Sequence, residues 1–152
     1  MINKACVRAD SLVCVGLDPD PQLMPIPNIF EFNKTIIEST SGYVAAYKPN
    51  LAFYEAHGIS GLRALYDTVD FIKQLSSSPI IIGDAKRGDI GSTNEAYATA
   101  LFDKWGFDAI TVNPYCGWES LQPFLKYEDK GVFVLCRTSN TGASEFQDLQ
   151  VT

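Results

Sequence analysis

The chain has 152 residues, of which 46% are hydrophobic and 20% are charged, and its formal net charge is −6. This composition excludes general disorder, and the length is sufficient to bury a sizeable core. The acidic balance and the lack of a basic run argue against a nucleic-acid surface. No apolar run approaches about 18 residues, and no basic segment leads into a secretory apolar core, so we expect neither a membrane span nor export.

The four cysteines show neither Cys-x-x-Cys nor zinc-site spacing. They are Cys6, Cys14, Cys116 and Cys136. This pattern predicts reduced thiols and a cytoplasmic location.

Apolar strand patterns recur along the chain, with helical patterns between them. The predicted strands cover residues 11–15, 42–47, 79–83, 109–112 and 132–136. The predicted helices cover residues 30–39, 57–75, 93–105 and 119–127. The spacing of roughly 25 to 35 residues is typical of successive βα units. Ser92 and Glu95 form a candidate capping box for the third helix, and Gly106 a candidate stop. No linker interrupts the pattern, which predicts one domain over residues 1–152.

Polar side chains follow each predicted strand, at the point where it ends. They are Asp18, Lys48, Asn50, Asp84, Lys86, Asn113, Ser139 and Asn140. Convergence of such groups from several strands favours the carboxyl face of a (β/α)₈ barrel over a doubly wound sheet, which gathers its ligand at one switch point. A complete barrel takes roughly 200 residues or more. The chain therefore predicts a TIM barrel truncated to about its first five βα units.

Four charged residues follow the point where the buried strand 79–83 should end, within the segment GDAKRGDIG at residues 83–91. Asp84 and Lys86 are two residues apart, so a continuing strand directs both to one face. Burying such a pair costs several kcal/mol per ion, on the order-of-magnitude estimate for desolvated ions, unless geometry or function compensates. The segment therefore indicates a functional site, with a purely structural ion pair as the alternative.

The segment at residues 83–91 also resembles the signature of the orotidine 5'-monophosphate decarboxylase family, Asp-x-Lys-x-x-Asp-Ile at the end of the third barrel strand. The resemblance extends over nearly the whole chain, in the family's order. It includes residues 14–19 (CVGLDP), 47–50 (YKPN), 111–115 (TVNPY) and 137–140 (RTSN).

The resemblance implies the decarboxylation of orotidine 5'-monophosphate to uridine 5'-monophosphate, in pyrimidine biosynthesis, with neither a metal nor an organic cofactor. Lys86 would be the ammonium that faces C6 and protonates it. Asp84 would hold Lys86 in position and would itself stand near the substrate carboxylate. Lys48 and Asp89 would complete an alternating array of charges, in which opposite neighbours offset much of each burial cost.

The resemblance further implies a homodimer with shared active sites and a nucleotide as the small-molecule ligand. Asp89, Ile90 and Thr93 would enter the neighbouring subunit's site. Asp18 would bind ribose hydroxyls, and Ser139 would hydrogen-bond the pyrimidine. The chain departs from many relatives at residues 140–142, where it lacks a proline before the glycine, and the family's phosphate-gripping loop would lie beyond Thr152.

Two other functions stay open on the sequence alone. The first is a metal-dependent sugar-phosphate decarboxylase or aldolase of the same superfamily, which shares Asp-x-Lys and uses Mg²⁺ near the same strand. The second is a catalytically inert barrel fragment that needs a partner, because five-eighths of a barrel leaves strand edges unpaired.

Overall fold

Five parallel strands form one sheet in the order β1-β2-β3-β4-β5 in the computed structural model, which describes residues 1–150. The strands are β1 (Cys14–Leu17), β2 (Ala46–Pro49), β3 (Ile80–Arg87), β4 (Ala109–Val112) and β5 (Gly131–Val134). The α-helices are α1 (Ile2–Ala9), α2 (Ile29–Thr40), α3 (Leu51–Glu55), α4 (Gly58–Lys73), α5 (Gly91–Ala98) and α6 (Trp118–Leu125). A π-helical segment, Thr99–Lys104, extends α5, and a 3₁₀ helix covers Thr141–Glu145. Sequential parallel strands joined by helices are the repeating units of a (β/α)₈ barrel, as predicted.

The sheet separates its side chains by the period of two that strands impose. Tyr47, Ile81 and Ile110 belong to the larger hydrophobic cluster, which the surrounding helices cover. Their neighbours point to the opposite face, where a smaller cluster contains Ala5 of α1. The strand members of that cluster are Ala46, Ile80, Ile82 and Ala109. Helix α1 therefore covers the inner face of the sheet near the amino ends of the strands and leaves the carboxyl ends accessible.

Most predicted elements are confirmed, with shifted boundaries. The prediction for β4 agrees with the structure, whereas β1 and β2 begin and end a few residues later than predicted. The largest difference is β3, which continues four residues past the predicted end at Gly83. The sequence interpretation ended β2 and β3 just before their first charged residues, Lys48 and Asp84, but pairing with neighbouring strands continues through those positions, as between Gly16 and Lys48.

Three local predictions were wrong. Helices α1 and α3 were not predicted, because both are short, with 8 and 5 residues, and so show little helical periodicity. The capping box of Ser92 and Glu95 does not form, since α5 begins at Gly91 and its N-cap residue, Ile90, makes no side-chain cap.

The stop at Gly106 is confirmed by a positive φ of 71°, which glycine adopts without strain.

A buried polar network connects the end of β1 to three helices. The Tyr54 hydroxyl of α3 donates to the Leu17 carbonyl (3.0 Å), while the Asn33 carboxamide of α2 donates to Tyr54 Oη (3.0 Å) and to Thr68 Oγ1 of α4 (3.0 Å). Asn33, Tyr54 and Thr68 are fully buried. Because each partner satisfies another buried polar group, the network holds the packing of these elements in one arrangement.

Within residues 1–150, no helix combines the length and apolarity that a membrane-crossing segment needs. All four cysteines are free thiols.

The contact between α3 and α4 depends on glycine at position 61. A Cβ added there would lie 2.0 Å from the Tyr54 carbonyl oxygen. We expect Gly61→Ala to lower the free energy of unfolding by about 1–3 kcal/mol, the usual range for overpacking, although alanine in a helix ordinarily stabilises by about 1 kcal/mol. Urea denaturation measures the change. Gly42→Ala is the matched control, because a Cβ at Gly42 meets nothing within 4 Å; equal effects of the two changes would contradict the packing argument.

Candidate active site

The carboxyl end of β3 departs from regular pairing where the charged residues begin. Gly83 pairs with Ile110 and Arg87 pairs with Val112, so four steps along β3 match only two along β4. Within this bulge, Lys86 has a φ of 48°, in the left-handed region that a non-glycine residue rarely adopts. Bulges of this kind redirect side chains and are common beside active sites. Asp84 and Lys86 nevertheless share one face, as predicted from their spacing.

Asp84 is the centre of the site. Its Oδ1 accepts hydrogen bonds from Lys86 Nζ (2.6 Å) and Thr111 Oγ1 (2.8 Å), and its Oδ2 accepts one from Lys48 Nζ (3.1 Å). The Asp84 side chain is 9% exposed, against 49% for Lys86 and 32% for Lys48. A nearly buried carboxylate thus holds two ammonium groups that remain accessible from the carboxyl end of the sheet.

Thr111 of β4 is a site residue that the sequence interpretation missed. Its hydroxyl oxygen accepts the Lys86 backbone N–H (2.9 Å) and donates its own hydrogen to Asp84. Thr111 therefore stabilises both the carboxylate and the left-handed backbone of the lysine. The sequence did contain one indication of this role, because Thr111 alternates with the buried Val112 in β4 and so belongs to the face opposite the core. The register that brings Thr111 to Lys86, however, depends on the bulge in β3.

Two opposing effects determine the protonation of Asp84. Burial by itself raises the pKa of the carboxyl group, because desolvation penalises the charged form. The hydrogen bonds from Lys86, Thr111 and Lys48, together with the positive charge of Lys48, outweigh burial and lower the pKa of Asp84 below its ordinary value. The carboxylate is accordingly ionised at neutral pH.

Asp18 lies beside the Lys48 end of this cluster. It follows β1, is exposed, and turns its carboxylate back so that a Cβ at Gly16 would lie 3.8 Å from Asp18 Oδ2. Gly16 is the register partner of Lys48 on β2. The predicted ribose-binding residue Asp18 and Lys48 thus occupy neighbouring strand ends.

Asp89 does not join the charge cluster of its own chain. Among the described residues it makes no ion pair, and its Oδ1 accepts the Ile90 backbone N–H (2.6 Å). Gly88 packs tightly against β4, where an added Cβ would lie 2.5 Å from the Asn113 carbonyl oxygen. Ile90 is exposed at the start of α5, and Thr93 is half-buried in its first turn. Of the four charges in the predicted array, the described part of one chain therefore brings together Lys48, Asp84 and Lys86 but not Asp89.

Ser139 lies in the exposed loop after β5 and makes no hydrogen bond with the Lys48–Asp84–Lys86 cluster among the described residues. Contacts between side chains close this loop. Arg137 makes two hydrogen bonds to the Asp148 carboxylate (2.9 and 3.0 Å), and the Thr138 N–H donates to Gln147 Oε1 (2.7 Å). These contacts and the following 3₁₀ helix hold the loop in one conformation.

The arrangement presents an exposed ammonium, Lys86, at the carboxyl end of the sheet, with its counter-ion buried behind it. Such a group stabilises negative charge that develops on a bound molecule and can transfer a proton to it. Within residues 1–150, no three His, Cys, Asp or Glu side chains lie close enough together to bind a metal ion.

Parallel strands with charged side chains gathered at their carboxyl ends define the class of (β/α)₈-barrel proteins whose sites are built at that face. The chain belongs to the Orotidine 5'-phosphate decarboxylase / HUMPS family, whose model matches residues 11–152.

Relatives agree with this assignment. The chain is 52% identical over 150 residues to an orotidine 5'-phosphate decarboxylase of Dehalococcoides mccartyi, covering 98% of this chain and 54% of that protein. It is 55% identical over 156 residues to the enzyme of the same name from Thermomicrobium roseum, covering 99% of this chain and 54% of the relative. The solved structure of Leishmania donovani OMP decarboxylase has a TM-score of 0.87 and 45% identity, covering 99% of this chain and 57% of that one. The chain spans about half the length of the curated relatives it matches.

The lowered pKa of Asp84 predicts an acid-sensitive contribution to stability. Because the folded-state pKa lies below the unfolded value, the contribution is present above about pH 4 and is lost as pH falls through the folded pKa. We expect the unfolding free energies of the natural chain and of Asp84→Asn to differ most near neutral pH and to converge toward about pH 2. Urea denaturation across this pH range measures the difference. A constant difference would contradict the assignment of a stabilised carboxylate.

Proposed function

We propose that the chain supplies the proton-transfer half of an orotidine 5'-monophosphate decarboxylase site, with the nucleotide as its substrate. The main observation that supports this proposal is the accessible Lys86 ammonium, which is hydrogen-bonded to the buried Asp84 carboxylate at a strand end. Membership of the family and the names of the relatives support this function.

The proposed reaction breaks the bond between C6 and the carboxylate carbon of the substrate. Carbon dioxide leaves, and the electron pair of the broken bond stays on C6. The Lys86 ammonium stabilises that pair and transfers a proton to C6, which gives uridine 5'-monophosphate; solvent then reprotonates the amine. A positive group that interacts with negative charge formed only in the transition state stabilises the transition state more than the bound substrate. It therefore lowers the activation barrier.

Asp84 has two proposed roles that follow from its burial. Its hydrogen bond at 2.6 Å orients Lys86 Nζ before substrate arrives, so the donor needs no rearrangement. Its negative charge also lies beside the position proposed for the leaving carboxylate, where repulsion raises the ground state. Lys48, on the other carboxylate oxygen, balances this charge, and Asp18 would bind the ribose from the adjacent strand end.

Turnover is expected to require more than the five described strands. Strands β1 and β5 are the outer strands of the sheet, and the relatives are about twice as long as the chain. Binding energy from groups remote from the reacting atoms, such as a phosphate, is commonly needed to organise the reacting centre. We therefore propose that the active unit combines this chain with the remaining barrel strands, and that Ser139 contacts the pyrimidine there.

We also propose a cytoplasmic homodimer in which Asp89, Ile90 and Thr93 act in the partner's site. Asp89 makes no ion pair among the described residues of its own chain, and exposed apolar side chains occur next to it in the chain and in the segment that follows β4. These are Ile90 (66% exposed), Tyr115 (77%) and Trp118 (69%). Burying apolar side chains of this size is a common source of dimer stability, and the four free thiols are compatible with a reducing compartment.

The first test measures uridine 5'-monophosphate formation by the chain mixed with a second polypeptide, the carboxyl-terminal half of the Dehalococcoides relative. We expect turnover to rise by orders of magnitude over the chain alone, because the second half closes the sheet. Lys86→Ala should then lose at least about a hundredfold in rate, since even one lost charge-stabilising donor typically costs that much.

Lys126→Ala is the matched control, because it removes the same charge from an exposed pair with Glu95 and should retain the rate. A chelator arm separates the alternatives: activity that disappears with chelation favours the metal-dependent sugar-phosphate enzyme. A rate unaffected by Lys86→Ala would eliminate Lys86 as the proton donor.

The second test concerns subunit sharing. Reconstituted Asp89→Ala and Lys86→Ala proteins, each with only a small residual rate alone, are mixed and allowed to exchange subunits. One site of the heterodimer then collects both defects and the other has neither, so activity should return toward half of the natural value per dimer. If exchange is proven by mass spectrometry and no activity returns, Asp89 acts in its own subunit.

A further inference from the structure

The turn that carries Asp89 is fixed by a buried side chain that the site description has not used. Asn94, in α5, is fully buried, and its carboxamide nitrogen donates to the Asp89 backbone carbonyl (2.7 Å) and to the Ser120 carbonyl of α6 (2.7 Å). Its own backbone N–H donates to the Ile90 carbonyl (3.0 Å). One residue therefore contacts both peptide units on the carboxyl side of the turn.

The orientation of the carboxamide follows from its surroundings. Both neighbours are carbonyl oxygens, so only the NH₂ group can face them, and a flipped amide would place three oxygens together. Among residues 1–150, the Asn94 side-chain oxygen has no hydrogen-bond partner. Serine has one donor and aspartate none when ionised, so neither can replace both contacts.

The amino side of the same turn is held by β4. The Asn113 N–H donates to the Arg87 carbonyl (2.7 Å). Asn113 also lies so close to Gly88 that a side chain at position 88 would clash with it. Asp89 lies between these two attachments. Its backbone cannot shift far without breaking one of them.

The contact to Ser120 extends the attachment to a second helix. Ser120 is buried at 1% exposure, and its hydroxyl donates to the Gly117 carbonyl (2.6 Å), just before α6 begins. Asn94 thus joins the loop after β3 to the start of α6, so that a displacement of either is transmitted to the other.

We infer that Asn94 is a positioning residue, which acts on the reaction by holding the Asp89 turn in register with the amino-terminal turn of α6. The catalytic consequence rests on the proposed function, because it assumes that the Asp89 carboxylate is used there. The attachment itself rests only on the contacts within this chain.

The chain offers a closely matched control in Asn33. It too is fully buried, donates two side-chain hydrogen bonds and has an unpaired oxygen, but its partners, Tyr54 and Thr68, lie away from the Asp89 turn. Loss of either asparagine removes the same chemical groups from the interior. Only the loss of Asn94 should release the turn.

The first experiment measures hydrogen exchange by mass spectrometry on the 152-residue chain, without substrate. Asn94→Leu is compared with Asn33→Leu, and the milder pair Asn94→Ser and Asn33→Ser serves if a leucine variant does not fold. Exchange in the peptide covering residues 87–94, corrected for global stability, should accelerate about tenfold more in the Asn94 variants, because local opening is controlled by local contacts. Equal acceleration in both pairs would overturn the inference.

The second experiment is a double-mutant cycle in the reconstituted enzyme. Asn94→Leu should lower kcat by about a hundredfold, the cost typical of a displacement near 1 Å. In an Asp89→Ala background the same change should cost less than about threefold, because the group that Asn94 positions is already absent. A full loss in both backgrounds would show that Asn94 does not act through Asp89. If the natural protein shows no decarboxylation, the proposed function fails, and the exchange comparison alone decides whether Asn94 holds the turn.

Discussion

The pairing of one buried carboxylate with two ammonium groups is the constraint on which the rest of the structure depends. An unpaired Asp84 would cost several kcal/mol in lost solvation, on the usual order-of-magnitude estimate. Lys48 of β2, Lys86 of β3 and Thr111 of β4 remove that cost only when three strands hold their registers together. The hydrophobic contacts between the sheet and its helices therefore determine whether the site is electrostatically stable.

The bulge in β3 is where the backbone adapts to this requirement. A non-glycine residue in the left-handed region carries strain of about 1–3 kcal/mol, and Lys86 is such a residue, with a φ of 48°. The strain is offset locally, because Thr111 accepts the Lys86 N–H and the Arg87 carbonyl accepts the Asn113 N–H. The same bulge aligns Gly88 with the end of β4. The bulge in β3 therefore positions both Lys86 and the Asp89 turn.

Alternation along the strands places the residues that pack against the helices and the residues that form the site on opposite faces of the sheet. Tyr47 is fully buried against the helices, whereas the next residue, Lys48, faces the site; Ala85 is buried in the same helix-covered cluster, between Asp84 and Lys86. A change of charge on the site face leaves the helix-facing contacts in place. This alternation was also the part of the site that the sequence predicted well, because the period of two is a local property of any strand.

The sequence by itself determined the five strands in their order along the chain, the strand at residues 109–112 and the shared face of Asp84 and Lys86, since apolar runs and residue spacing are local signals. Only the tertiary structure decided that Thr111 contacts both of them, that the Asp89 carboxylate stays outside its own chain's cluster, and that Asn94 holds its turn. Each of these depends on the register of β3 against β4 or on the packing of α5 against α6. Such contacts join residues distant in sequence, and no local pattern specifies their geometry.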